Sequence, residues 1–139
     1  MSRQVLSRHF EPGFDLAPER FTALEAALER ARADLRVTGL PGPARLAIPE
    51  WSPHAFVAYQ GGHGGTSGIA PADGRDAVSA LLAVAGEAQD AVMEALRRVW
   101  PVCPAQALGV HARERSGVPG WWCAGDGGHV AAAIGQWAG

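Results

Sequence analysis

The sequence contains no lysine, because all twelve of its basic residues are arginine. The chain therefore lacks the lysine of a Walker-type phosphate loop, of a Schiff-base enzyme and of a lysine general base. It has no stretch of about 20 apolar residues that could cross a bilayer. The amino-terminal segment MSRQVLSRHFEPGF also lacks the apolar run of a secretory signal. We therefore expect a cytoplasmic protein with no membrane partner.

Cysteine is equally scarce, since Cys103 and Cys123 are the only two in the chain. In a reducing compartment a stable disulfide between them is not expected, so they should be free thiols, thiolates or metal ligands.

The formal net charge is −2, which provides no general surface for phosphate groups. Arg97, Arg98, Arg113 and Arg115 lie near tryptophans and could form a small basic and aromatic patch. Arginines at the carboxyl end of a helix also interact favourably with its dipole, which explains the first two without a ligand. We predict that nucleic acid is not a partner.

Two amphipathic helices are the strongest structural signals. Apolar residues recur at helical spacing from Phe21 to Leu35 and again from Val78 to Val99, which predicts helices over 18–36 and 75–99. Short strand-like segments follow each helix, with connections mostly too short for parallel crossovers. After the first helix they are 44–49, 54–60 and a candidate third strand at Ile69 and Ala70; after the second they are 107–115, WWCAG and HVAAAIGQW.

The sequence therefore predicts a single α+β domain over residues 1–139, with the two helices packed on an antiparallel sheet. A zinc-ribbon-like β-hairpin is expected within 100–137. An alternative architecture makes that hairpin semi-independent of an amino-terminal α/β layer. The glycine-rich segment 61–68 matches no phosphate-binding motif, so a hairpin connection is favoured over a ligand loop.

Metal-binding residue types concentrate in the last part of the chain. Cys103, His111, Cys123 and His129 fall within one short segment, and zinc prefers four such ligands in a tetrahedron. Taken singly, each residue has a simple structural explanation, since free cysteine is usually buried and histidine often occupies strands or turns. The metal hypothesis depends on all four occurring together.

Neither cysteine begins an intact Cys-x2-Cys motif. Gln106 is the third residue after Cys103, and Asp126 is the third residue after Cys123. The fourth position of a zinc site could therefore be filled by His129, Asp126, Gln106 or water. A closed set would make the zinc structural, whereas a water would suit a catalytic zinc.

The carboxyl-terminal segment WPVCPAQALGVHARERSGVPGWWCAGDGGHVAAAIG resembles the signature of small, largely uncharacterised actinobacterial proteins that read W-P-x-C-P, then histidine, then W-x-C. The resemblance covers about a quarter of the chain. It implies that Cys103, His111 and Cys123 are zinc ligands. Where those proteins tend to have Cys-Pro-x-His, this chain has Gln106, and His129 is the substitute. The resemblance implies no activity.

These observations favour a small zinc-binding accessory or protein-interaction module with a structural metal site. The alternative is a zinc- or thiol-dependent, hydrolase-like enzyme that uses the same cluster, with Cys103 or Cys123 as nucleophile. The sequence specifies no small-molecule substrate. Five tryptophans in so short a chain are hard to bury, so we also expect a homodimer, with Trp137 at its interface.

Overall fold

A computed structural model describes residues 12–63 and 68–138 of the chain. They form two helices and two three-stranded antiparallel sheets, which confirms the predicted α+β fold. Neither of the two helices in these ranges is long and apolar enough to span a membrane. In chain order the elements are α1 (Pro18–Val37), β1 (Ala44–Ala47), β2 (Phe56–Tyr59), β3 (Gly62–His63), α2 (Ala77–Leu96), β4 (His111–Arg115), β5 (Val118–Cys123) and β6 (His129–Ala133), with short 3-10 turns at Pro71–Gly74 and Gly125–Gly127.

Helix α1 has the ends that its sequence predicts. Pro18 occupies its first turn, where a missing N–H costs nothing, and Glu19 places negative charge there. At the other end Gly39 adopts a positive φ of 77°, and the Leu40 N–H donates to the Leu35 carbonyl at 3.0 Å. This left-handed turn provides hydrogen-bond donors for carbonyls of the last helical turn, and the helix ends there.

Helix α2 is shorter than predicted. It begins after Asp76, whose carboxylate caps the helix by accepting the Ser79 N–H at 2.7 Å. It ends at Leu96 because Arg97 adopts the left-handed conformation, with φ at 56°, before Pro101 is reached. The two helices pack against each other in one core with residues from both sheets.

The strands form two separate sheets, in the orders β1-β2-β3 and β4-β5-β6. Ile69, which the sequence suggested for a further strand, makes only an isolated bridge to Ala55. The predicted strand over 107–115 begins only at His111. Of the glycine-rich segment 61–68, Gly62 and His63 form β3 and pair with β2, whereas residues 64–67 lie outside the described ranges.

A buried carboxylate joins α1 to the end of the chain. Asp34 is 0% exposed and accepts three hydrogen bonds: from Trp121 Nε1 at 2.8 Å, from the Gly135 N–H at 2.8 Å and from the Trp137 N–H at 3.0 Å. Trp137 is thereby held against its own chain and is 8% exposed.

Candidate metal centre

Three of the four predicted ligands come together beyond one end of the second sheet. Cys123 is the last residue of β5 and His129 the first of β6, and the two are directly paired in the antiparallel register. Directly opposed residues lie on the same face of a sheet, so both side chains point to the same side. Cys103 reaches them from the loop that precedes β4.

The loop carrying Cys103 is held closed by its own backbone. The Cys103 N–H donates to the Leu108 carbonyl at 2.8 Å, and the Ala107 N–H donates to the Cys103 carbonyl at the same distance. A bridge between Val102 and Gly109 closes the loop below them. Cys103 therefore occupies a fixed position beside the sheet.

The distances fit a metal ion. The ligand atoms of Cys103, Cys123 and His129 all lie within 4.8 Å of one another, and Cys103 Sγ is 3.4 Å from His129 Nε2. Bonds of about 2.3 Å to sulfur and about 2.0 Å to nitrogen at the tetrahedral angle place those two atoms about 3.5 Å apart. Cys103 and His129 are thus already at the separation that zinc requires, and Cys123 Sγ lies within 4.8 Å of both ligand atoms.

Backbone groups also prepare the ligands. The Gly125 N–H donates to Cys123 Sγ at 3.4 Å, and the N–H groups of Gln106 and Ala105 act against burial by lowering the pKa of the Cys103 thiol. Donors of this kind stabilise thiolates, the form of cysteine that binds metals.

Without an ion, the electrostatics of the cluster favour a thiolate beside an imidazolium, whose Nε2 proton must leave before that nitrogen can bind a metal. Burial raises the pKa of the Cys103 thiol, but the Gln106 N–H, His129 and further donors lower it, so that the pKa lies at about 7. The Cys103 hydrogen bond raises the pKa of His129. His129 Nδ1 lies 3.4 Å from the Gly125 carbonyl oxygen. An N–H on Nδ1 directed at that carbonyl leaves Nε2 available as a ligand atom.

His111 is not part of this cluster. It pairs directly with Trp122 on β5, and Trp122 points to the face opposite that of its neighbour Cys123. His111 is exposed on that outer face. There the guanidinium carbons of Arg113 and Arg115 lie 5.0 and 4.1 Å from the centre of the Trp122 ring. Both arginines therefore make cation–π contacts with a tryptophan of the same chain.

The two residues that replace the missing motif positions contact each other. Gln106 Nε2 donates to Asp126 Oδ2 at 2.8 Å, across the gap between the two ligand-bearing turns. Neither belongs to the group of ligand atoms within 4.8 Å. Sequence reasoning named both residues as candidates for the fourth position, but it did not foresee that they pair.

The tryptophans behind the centre are buried within one chain. Trp100 and Trp121 form an edge-to-face pair with ring centres 5.8 Å apart, and both are buried, as is Trp137. Three of the five tryptophans are thus buried within one chain, whereas Trp51 is 71% exposed and Trp122 is half-buried. Self-association itself stays a prediction without support from Trp137.

Comparison of the chain with protein-family models, curated proteins and solved structures finds no match. The resemblance of its carboxyl-terminal segment to small actinobacterial proteins therefore stays a prediction, and the site is interpreted from its own geometry.

Proposed function

We propose that this chain is a small cytosolic accessory or protein-interaction module whose second sheet is stabilised by a structural zinc ion. Cys103, Cys123 and His129 are close enough to bind a metal ion. This convergence of three ligand atoms carries the proposal. Two of them are the sulfur atoms of buried cysteines. A buried ion stabilises the surrounding fold but offers a substrate little access.

The ligand set selects the metal. Two thiolates and one imidazole match the donors that zinc prefers, whereas magnesium and calcium prefer oxygen. A reducing cytosol keeps both cysteines available, in agreement with their free thiols.

Exposed apolar side chains near the centre support an interaction role. Val99 and Leu108 are 52% and 47% exposed, and both line a concave surface beside the Cys103 loop together with Ala124. Apolar side chains grouped on a surface are typical of sites that contact another protein.

The proposal is tested by metal analysis of the purified protein. We expect about one zinc per chain in the wild type. Cys103→Ser and Cys123→Ser should contain no zinc, and His129→Ala should bind zinc more weakly. His111→Ala is the matched control, because His111 lies on the opposite face of the same sheet. Zinc-free wild-type protein, or cysteine variants with normal zinc content, would contradict the proposal.

A chelator should also reveal the structural role. Zinc contributes about 10–16 kcal/mol in isolated finger peptides, whereas whole domains are stable by about 5–15 kcal/mol. Removal of the ion should therefore destabilise the region from about 103 to 135 and, because this region shares one core with both helices, lower the melting temperature of the whole chain. An unchanged melting profile in chelator would refute a structural ion.

A thiol-dependent enzyme is the second candidate, favoured by the 3.4 Å contact between Cys103 and His129 and by the lowered thiol pKa. Against it, Cys103 is 1% exposed. Alkylation of metal-free protein by iodoacetamide distinguishes the two. An activated nucleophile reacts at Cys103 in the folded state, whereas a structural ligand reacts only after the loop opens.

A further inference from the structure

Cys103 and Cys123 each begin a short turn of the same design. In the turn from Cys103 to Gln106, the backbone N–H groups of the third and second residues after the cysteine lower the pKa of its thiol. In the turn from Cys123 to Asp126, the N–H of the second residue, Gly125, donates to the sulfur. Gln106 and Asp126 therefore occupy equivalent positions, each three residues after a metal-binding cysteine.

The two equivalent side chains meet beside the cluster. Gln106 Nε2 donates to Asp126 Oδ2 at 2.8 Å. The glutamine also crosses the second turn so closely that a Cβ atom on Gly125 would lie 2.9 Å from Gln106 Cγ. Asp126 Oδ1 accepts no hydrogen bond from the residues that the structure describes, so one carboxylate oxygen is held and the other is free.

We propose that Asp126 is the fourth ligand of the metal held by Cys103, Cys123 and His129, and that Gln106 positions its carboxylate. The proposal rests on the metal site proposed above. A carboxylate oxygen is an ordinary zinc ligand, and ligating carboxylates are themselves usually hydrogen-bonded. Asp126 lies outside the group of ligand atoms within 4.8 Å of one another, so ligation requires its exposed side chain to turn towards the cluster.

This assignment closes the coordination shell. Two sulfurs, one nitrogen and one oxygen would fill the four tetrahedral positions, leaving none for water or substrate. A closed shell is the property that separates a structural zinc from a catalytic one, so Asp126 would decide the function of the centre.

The test uses Co²⁺, whose visible absorption reports the number and type of its ligands, bound to the full-length metal-free protein. Asp126→Gly is the main variant, because Asp126 has a positive φ of 54° that glycine adopts without strain. Glu114→Ala is the matched control, since Glu114 is an exposed carboxylate on β4 of the same sheet.

We expect Asp126→Gly to bind one Co²⁺ at least about tenfold more weakly, since even outer partners of metal ligands change affinity by about 10–100-fold. Added azide should alter the spectrum of this variant by entering the vacated position. It should leave the spectra of wild type and Glu114→Ala unchanged. Gln106→Ala should weaken binding, and this effect should vanish when Asp126 is already glycine.

Azide binding to wild-type cobalt protein, or equal affinity of wild type and Asp126→Gly, would overturn the assignment of Asp126 while leaving a three-ligand site intact. If wild type binds no Co²⁺, or binds it equally well as Cys103→Ser, the metal site itself is refuted, and the role of Asp126 with it.

Discussion

Replacement of Asp34 tests whether one buried carboxylate fixes the end of the chain. Its two carboxylate oxygens accept different hydrogen bonds. Oδ2 accepts one from Trp121 Nε1 and one from the Gly135 N–H, whereas Oδ1 accepts one from the Trp137 N–H. In Asp34→Asn, an amide oxygen in the Oδ2 position keeps two of the three bonds. The amide nitrogen then opposes the Trp137 N–H, a contact between two donors.

The expected cost follows from this count. A hydrogen bond to a charged group is worth about 1.5–3 kcal/mol, so Asp34→Asn should lose about that much. Asp34→Ala leaves three buried donors without an acceptor, at about 1–3 kcal/mol each, a substantial part of the roughly 5–15 kcal/mol that stabilises a domain. The alanine variant should therefore be marginal, and the asparagine variant folded.

Urea unfolding followed by tryptophan fluorescence measures both effects. With a slope of about 2 kcal/mol per molar urea, a loss of about 2 kcal/mol lowers the midpoint by about 1 M. Glu25→Gln is the control on the exposed face of α1 and should stay within about 0.5 kcal/mol of wild type. If Asp34→Asn is as stable as that control, the three hydrogen bonds do not hold the carboxyl-terminal segment.

Three further predictions concern other parts of the core. Burial raises the pKa of Glu87 to about 7 from 4.5, so its ionisation destabilises the fold as pH rises through that interval. Glu87→Gln should be more stable than wild type at pH 8 and lose this advantage below pH 4.5, as measured by urea unfolding at both pH values. The same difference in free energy of unfolding between variant and wild type at both pH values would contradict this prediction. Gly74→Ala should lower the free energy of unfolding by about 1–3 kcal/mol, because the new Cβ atom would lie 2.5 Å from the Arg20 carbonyl oxygen. A melting temperature equal to that of wild type would show that the turn moves to accept the methyl group. Tyr59→Phe removes the hydrogen bond from the buried hydroxyl to the Pro41 carbonyl and should cost about 0.5–1.5 kcal/mol in thermal unfolding, whereas a gain in stability would show that the bond is strained.

Helix positions were readable from the sequence, because periodic burial of apolar residues leaves a strong local pattern. The prediction of 18–36 agrees closely with Pro18–Val37. The predicted end of α2 was wrong because Arg97 adopts the left-handed conformation. The helix therefore ends at Leu96, before Pro101 could stop it. Arginine rarely has a positive φ, so the sequence does not predict a helix end there.

Asp34 was missed, although a signal was present. It lies seven residues after Ala27 and three after Ala31, on the same stripe as the buried residues of α1. A charged residue on an apolar stripe needs a buried partner. That partner, 87 residues away at Trp121, could not be read from local sequence.

The ligand set could be read only in part, because spacing does not specify sheet faces. Cysteine and histidine content pointed to the right segment, and Cys103, Cys123 and His129 do converge. His111 was grouped with them by its proximity in sequence and by the resemblance of the segment to the W-P-x-C-P proteins. Its exclusion depends on the pairing of β4 with β5, and a shift of one residue in that register would have reversed its face.

Burial of the two cysteines would control the rate at which an ion enters or leaves. Cys103 and Cys123 are 1% and 0% exposed, so an ion would leave both sulfurs only after the loop from Cys103 to Leu108 had opened. Such local openings have their own free energy, set here by the backbone hydrogen bonds that close the loop. Once capture is faster than reclosing, ion loss would no longer depend on chelator concentration. The ion present in the finished protein would then reflect what was available while the chain folded, rather than later competition among ions in the cell.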